Sequence, residues 1–376
     1  MQQIQSLLLA CSLTTGICLA DTINVPEDHA TIQSAIDASV DGDLILVAPG
    51  LYTEFDIQFG GKGVTLRGST GPDGLPNTAI TSGDQGKIML IGHQEIDPTV
   101  ENLVFTASTA DTAVMSFHSD ATFRNCTFSN NSGFLGGAYY NLNGAPDFID
   151  CRFISNTGTW GGGYACWETG QMKHPNFTRC VFEGNTGEIG GGMANLRSQP
   201  IMTECTFVDN QATIGGGIYN DGDSCCPQWQ GNIVLIDCLL ENNQASESGG
   251  GLYNAIFGLP VIEGTTFSNN TAAVFGSGMF SEDEMIPTVR DSIFCANEGT
   301  SEQISGPWTD DGNNSIESSC PESCLGDFDQ SGTVGVDDLL SLLAAYQVNG
   351  NGDCDDDGDT DVDDLLILIG RWGQCP

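Results

Sequence analysis

The chain has 376 residues, room for two or three domains, and sets 50 Asp and Glu against only 10 Lys and Arg. A formal charge of −40 and a pI near 4.1 exclude nucleic acid and anionic membrane surfaces as natural partners, because both would repel it. Such acidity suits a calcium-rich exterior or a salty medium.

Residues 1–20 read as a secretory signal peptide. Leu7–Ala10 and Leu13–Leu19 supply an apolar core, and Cys18-Leu19-Ala20 places small residues before a cut at Asp21. No later run of eighteen apolar residues follows, so no membrane span is expected and the mature chain is read as secreted, extracellular or at the cell surface. Ile23–Ile36 reads as a strand and then a short helix, and Gly42–Glu54 as the first full strand.

From about 100 to 300 one unit recurs. It begins at Cys126, Cys151, Cys180, Cys205, Cys238 and Thr265 and ends at Asn131, Asn156, Asn185, Asn210, Asn243 and Asn270, with Phe third in five of the six copies. A glycine cluster follows each, from Gly136-Gly137 to Gly276-Ser-Gly278. The starts recur with a base period of roughly 25 residues, lengthened in places by insertions. Such a period with few helix formers predicts stacked parallel β-coils, with Gly and Asn at the corners. Eight to ten coils at ~4.8 Å would make a rod roughly 40–50 Å long. The six Asn should form a hydrogen-bonded ladder from coil to coil. The five Cys, without Cys-x-x-Cys spacing, read as buried apolar filler at an interior strand position. The N-terminal strand–helix would cap the rod. With the Cys-x-Phe-x-x-Asn…Gly-Gly-Gly units, this pattern resembles the right-handed parallel β-helix proteins of the pectin-lyase-like superfamily, and the glycine repeats resemble those of polymorphic outer-membrane and adhesin-like proteins. The resemblance spans about 21–318 and implies an all-β solenoid.

A short acidic linker is expected over 308–323. Beyond it a twelve-residue pattern occurs twice, starting at Asp327 and again at Asp353. Oxygen side chains stand at loop positions 1, 3, 5 and 12 in Asp327, Asp329, Ser331 and Asp338, and again in Asp353, Asp355, Asp357 and Asp364, with Gly at position 6. This is what a Ca²⁺ loop of EF-hand type requires, and position 7 would add the carbonyls of Thr333 and Asp359. No entering helix is possible through Pro321–Gly326 or Asn349–Gly352, whereas exit helices are expected at Asp338–Tyr346 and Asp364–Ile369. Twelve Asp between 327 and 364 without one base predict metal-linked folding. A duplicated loop–helix segment with Asp at position 12 resembles a dockerin domain, over 319–376 with a core at 324–376. The resemblance implies two Ca²⁺ ions and docking to a cohesin-like module or cell-surface scaffold. Dockerins that recognise familiar cohesins carry Ser/Thr at loop positions 10 and 11, where this chain has Val336-Asp337 and Val362-Asp363. The staple expected for the module joins Cys324 to Cys375; other pairings stay open.

For function, the residues support a β-helix rod used for binding or display, docked by its calcium module into an extracellular, polysaccharide-related assembly. Trp160, Trp167, Trp229, Tyr140, Tyr219 and Tyr253 are expected as exposed aromatics on which sugars could stack. The alternative is a polysaccharide lyase or glycoside hydrolase acting on an acidic glycan, with Lys173 as proton abstractor and Glu168 as its acid or metal partner. The local signatures of β-helix lyases and hydrolases, such as Arg-x-Pro-x-x-Arg, do not occur in the rod.

Overall fold

The computed structural model describes residues 20–92, 96–168, 174–222, 231–282, 286–320, 326, 328, 333–346, 352–354 and 360–374. Apart from Ala20, the leader expected at 1–20 lies outside them. Two compact units divide the chain between Glu317 and Ser318.

The first unit is a parallel β-solenoid of about 11 turns. Each central turn visits four sheets in order, as in Thr122–Arg124, Thr127–Ser129, Ser132–Leu135 and Tyr139–Leu142. The sheets contain 12, 11, 7 and 10 strands, and every pairing joins one coil to the next in parallel. Strands of three or four residues suffice because each side chain stacks on its equivalent in the next coil. Phe128, Phe153, Phe182 and Phe207 form one such interior column, with ring centroids 4.8, 4.6 and 4.4 Å apart. Helix α1 (Ile32–Ala38) buries Ile32, Ala35 and Ile36 in the same core, against the first coil. Its N-cap Thr31 closes a capping box with Ser34.

The corners explain the composition. Between the first and second sheets the chain turns through left-handed residues such as Asn125, Asp150 and Asp237; between the second and third it does so at Asn130, Ser155 and Asn242. At the third corner Gly161 has φ +68°, and a Cβ there would lie 2.0 Å from the carbonyl oxygen of Tyr164, so no other residue fits.

The expected Asn ladder is present. Asn185 Nδ2 donates to Asn210 Oδ1 (3.0 Å) and to the Phe153 carbonyl (2.8 Å), while its own Oδ1 accepts from the backbone N–H and side-chain amide of Asn156, both at 3.0 Å. A second ladder, not read from the sequence, runs inside the fourth sheet through Cys166, Asn195, Asn220 and Asn254 to Ser281. The five repeat cysteines are buried and unpaired, but they sit in the corner before the second-sheet strand rather than within a strand. Burial pushes the Cys151 and Cys180 thiols well up, which disfavours the thiolate form.

Two expectations about extent change. The solenoid has more than eight to ten coils, because the coils before residue 100 are built without the Cys-x-Phe-x-x-Asn unit. The acidic linker at 308–323 is in part a final coil: Thr309–Asp310 and Ser315–Glu317 extend the first and second sheets, and Asn314 Oδ1 accepts from the Ser292 N–H. Acidic residues misled there because only their outward faces are solvated.

In the second unit, helices α2 (Val336–Ala345) and α3 (Val362–Gly370) pack around Val334, Leu342, Cys354 and Leu368. A two-residue antiparallel pair joins Thr333–Val334 to Gly373–Gln374.

Candidate functional site

Along the fourth sheet, alternation sends Tyr164 and Cys166 into the core and Ala165 outward, yet Ala165 and its neighbour Ala194 have no exposed surface. They are covered because the outer faces of the third and fourth sheets turn toward each other. The floor of this re-entrant groove is one register column: Met115, Tyr140, Ala165, Ala194, Tyr219, Tyr253 and Phe280. One wall is Leu135, Trp160, Ile189 and Ile214 from the third sheet. The other is Phe117, Leu142, Trp167, Leu196 and Asp221 from the fourth.

Thus Tyr140 and Tyr219, expected as exposed, are only 7% and 8% accessible, and Trp160, Trp167 and Tyr253 are half-buried. These aromatics form a packed groove rather than scattered surface rings. Trp160 meets Tyr219 edge-on at 6.2 Å, Tyr219 stacks on Tyr253 at 5.5 Å, and the Arg197 guanidinium lies 5.7 Å from the Trp167 ring centre. Trp229 lies outside the described residues.

Polar groups gather where the groove approaches its C-terminal end. Arg197, Tyr219, Asp221, Ala255, Ile256 and Glu282 line a cavity of about 290 Å³. A neighbouring cavity of about 500 Å³ shares Ile256 and Glu282 and adds Phe275, Phe280 and Ser305. The Tyr219 hydroxyl donates to Asp221 Oδ2 (3.4 Å), and the Tyr253 hydroxyl donates to Glu282 Oε1 (2.7 Å). The Ile256 N–H donates to Glu282 Oε2 (3.1 Å). Burial pushes the Asp221 carboxyl up to about 6, helped by the Glu282 charge and opposed by the Tyr219 hydrogen bond and by Arg197.

That shift has a stability consequence. The folded state holds the Asp221 proton more tightly than the unfolded chain, so this group's contribution is full below its ordinary value of 3.8 and is lost as pH rises to about 6. Discounted for the open cavity, the loss is about 1–2 kcal/mol. Asp221→Asn is expected to gain that amount at pH 8 and nothing at pH 4, read from urea denaturation at both pH values.

Arg197, Asp221 and Glu282 were not singled out from the sequence. The signal available was that Asp221 occupies a wall position filled by Leu142, Trp167 and Leu196 in earlier coils. Of the residues that were singled out, Glu168 is buried at the end of its fourth-sheet strand and Lys173 lies outside the described residues.

Among the expected calcium ligands, Asp327, Asp329, Ser331, Asp355, Asp357 and Asp359 also lie outside the described residues, as do Cys324 and Cys375. Thr333, Asp338, Asp353 and Asp364 are described. Asp338 accepts from the backbone N–H of Phe328 and of Gly335, both at 2.7 Å. Asp364 accepts in the same way from Cys354 and from Asp361. Both carboxylates are buried, and each brackets loop positions 2 and 9 of its own copy. Among the described residues no group of three or more His, Cys, Asp or Glu is placed to hold a metal ion. Matched apolar pairs remain exposed on the two helices: Val336 and Val362, Leu340 and Leu366, Leu343 and Ile369.

The sequence model for a right-handed β-helix region matches residues 60–234, and that for the Chlamydia polymorphic membrane protein repeat matches 237–255. The described solenoid is a right-handed parallel β-helix. Among solved structures, ORF18 of Geobacillus virus E2 aligns with a TM-score of 0.51 at 12% identity, over 80% of this chain and 62% of that one, so this chain spans less than two thirds of its length. Pectate lyase Pel9A aligns with a TM-score of 0.51 at 15% identity, over 81% of this chain and 80% of that one. At these identities the likeness is one of fold. No curated protein matches the chain.

Proposed function

We propose that the protein is an extracellular polysaccharide-binding β-helix that takes a sugar chain lengthwise in its aromatic groove. The observation that carries this reading is the outward column from Met115 to Phe280, flanked over its middle coils by the half-buried Trp160 and Trp167 and ending at hydrogen-bonding groups that line a cavity. A linear polymer with apolar ring faces and a polar rim matches an aromatic strip that opens into cavities at its end. The same fold in Pel9A serves a pectate lyase, which accords with the reading at the level of fold only. Charge selects the class of glycan: among the described residues two carboxylates face one guanidinium in the cavity, and the chain carries −40, so a neutral polysaccharide is favoured over an acidic one. In affinity gels cast with xylan, glucomannan or β-glucan, the full chain is expected to be retarded by at least one of these polymers. Trp160→Ala with Trp167→Ala should weaken retention about tenfold or more while the strand dichroism stays unchanged. Equal retention of the double variant would defeat the groove assignment.

A second reading concerns Ser318–Pro376. The matched bracketing of Asp338 and Asp364 supports two bound Ca²⁺ ions, with the segment acting as a dockerin-like anchor for a cohesin-like module or scaffold.

A further inference from the structure

We infer that Asp221 and Glu282 are the acid and base of a hydrolytic centre that cleaves a glycosidic bond of a neutral polysaccharide with inversion at the anomeric carbon. This inference rests on the reading that the groove holds a polysaccharide.

The geometry comes from the register of the fourth sheet. Asp221 ends the strand Ile218–Asp221, Ala255 follows the equivalent strand one coil later, and Glu282 follows the one after that. The two acids therefore stand two strand spacings apart, ~10 Å between backbones, on the wall of the groove. Between them Ala255 is too small to fill the gap, and both carboxyls open onto the same cavity of about 290 Å³. Inverting glycosidases hold their two carboxyls roughly 6.5–9.5 Å apart, leaving room for a water on the far side of the sugar; retaining enzymes hold them near 5 Å.

The environments separate the roles. Asp221 keeps its proton up to about pH 6 because burial and the Glu282 charge disfavour ionisation, which suits a general acid. Glu282 accepts hydrogen bonds from Tyr253 and from the Ile256 N–H, which fix its orientation for a further acceptor role. Tyr219 orients Asp221 from the same strand, and Arg197, on the preceding coil, tempers its shift; among the described residues these three, Tyr219, Arg197 and Glu282, are the titratable groups that act on it. In the reaction Glu282 takes a proton from water as the water oxygen bonds to the anomeric carbon. The bond from that carbon to the leaving oxygen breaks, and that oxygen takes the proton of Asp221. One water is consumed and nothing is oxidised or reduced. Loss of the Asp221 proton gives an alkaline limb near pH 6.

The test uses the full chain as wild type, Asp221→Asn and Glu282→Gln, with xylan, glucomannan and β-glucan as probes. Gel retention and released reducing ends are measured side by side. The expected result is a wild type that is retained and releases reducing ends, with either variant still retained by the same gel but at least 100-fold slower. Proton NMR of fresh product should show the inverted anomer. Circular dichroism checks the fold; Ala255→Leu, which fills the gap between the carboxyls, serves as a second variant and should also silence release. Retention without release, release that survives both variants, product absorbing near 235 nm, or the retained anomer would each overturn the inference while leaving the binding reading intact. No retention by any probe would overturn both.

Discussion

Asn185→Leu is expected to destabilise the β-helix by about 3–6 kcal/mol, although Leu is apolar and close in size, because it strands buried polar groups. Three of them lose a partner: the Asn156 N–H, one Asn156 amide hydrogen and the Phe153 carbonyl. Each such loss costs about 1–3 kcal/mol, and the Asn185 backbone bond to Asn210 Oδ1 survives the change. The effect is large because Asn185 lies mid-ladder, so coils on either side lose their axial tie at once. Glu183→Gln, which changes an outward residue of the same coil, is the control and should stay within about 0.5 kcal/mol. Urea denaturation followed by strand dichroism measures both. A shift below about 1 kcal/mol for Asn185→Leu would mean that the ladder adds nothing beyond the backbone pairing.

Removing calcium from the full chain is expected to release Ser318–Pro376 and leave the β-helix folded. Twelve Asp between 327 and 364 face no base, so their mutual repulsion opposes folding until a cation offsets it. At calcium a thousandfold above Kd, each ion would contribute about 4 kcal/mol, which for two ions exceeds what four buried apolar residues can supply alone. Hydrogen exchange with mass spectrometry should therefore show α2 and α3 losing protection in EDTA while the second-sheet strands keep theirs. Asp338→Ala removes both the expected ligand and the clasp across its loop, and should weaken that ion by about 100-fold or more in calorimetry. Unchanged exchange of α2 and α3 in EDTA would sink the calcium reading, and joint loss of both units would contradict their independence.

How much could be read in advance followed from repetition. Cys126 to Asn270 announces the coils because each corner repeats the same steric problem and meets it with the same residue types. The first coils and the last, built on Leu44–Val47 or Ser315–Glu317, solve that problem with other residues and so carry no matching signal. The inner ladder through Asn195 and Asn220 keeps nearly the same spacing as the outer one but was not picked out, because Cys166 and Ser281 stand where the outer ladder repeats Asn. The groove was harder still. Its aromatics were legible one by one as Trp160, Trp167 and Tyr219, but the turning of two sheets toward each other is a tertiary fact that no local pattern encodes. The same holds for Asp221 and Glu282, which are distant in sequence and come together only because the coils stack.

Because each coil makes most of its contacts with the coil before and the coil after, the groove has no fixed length. Duplicating one coil inserts a further rung of floor and wall, so the surface can grow or shrink in notches of ~4.8 Å. Rods of this kind can therefore be lengthened or shortened by whole turns, with the ends left unaltered.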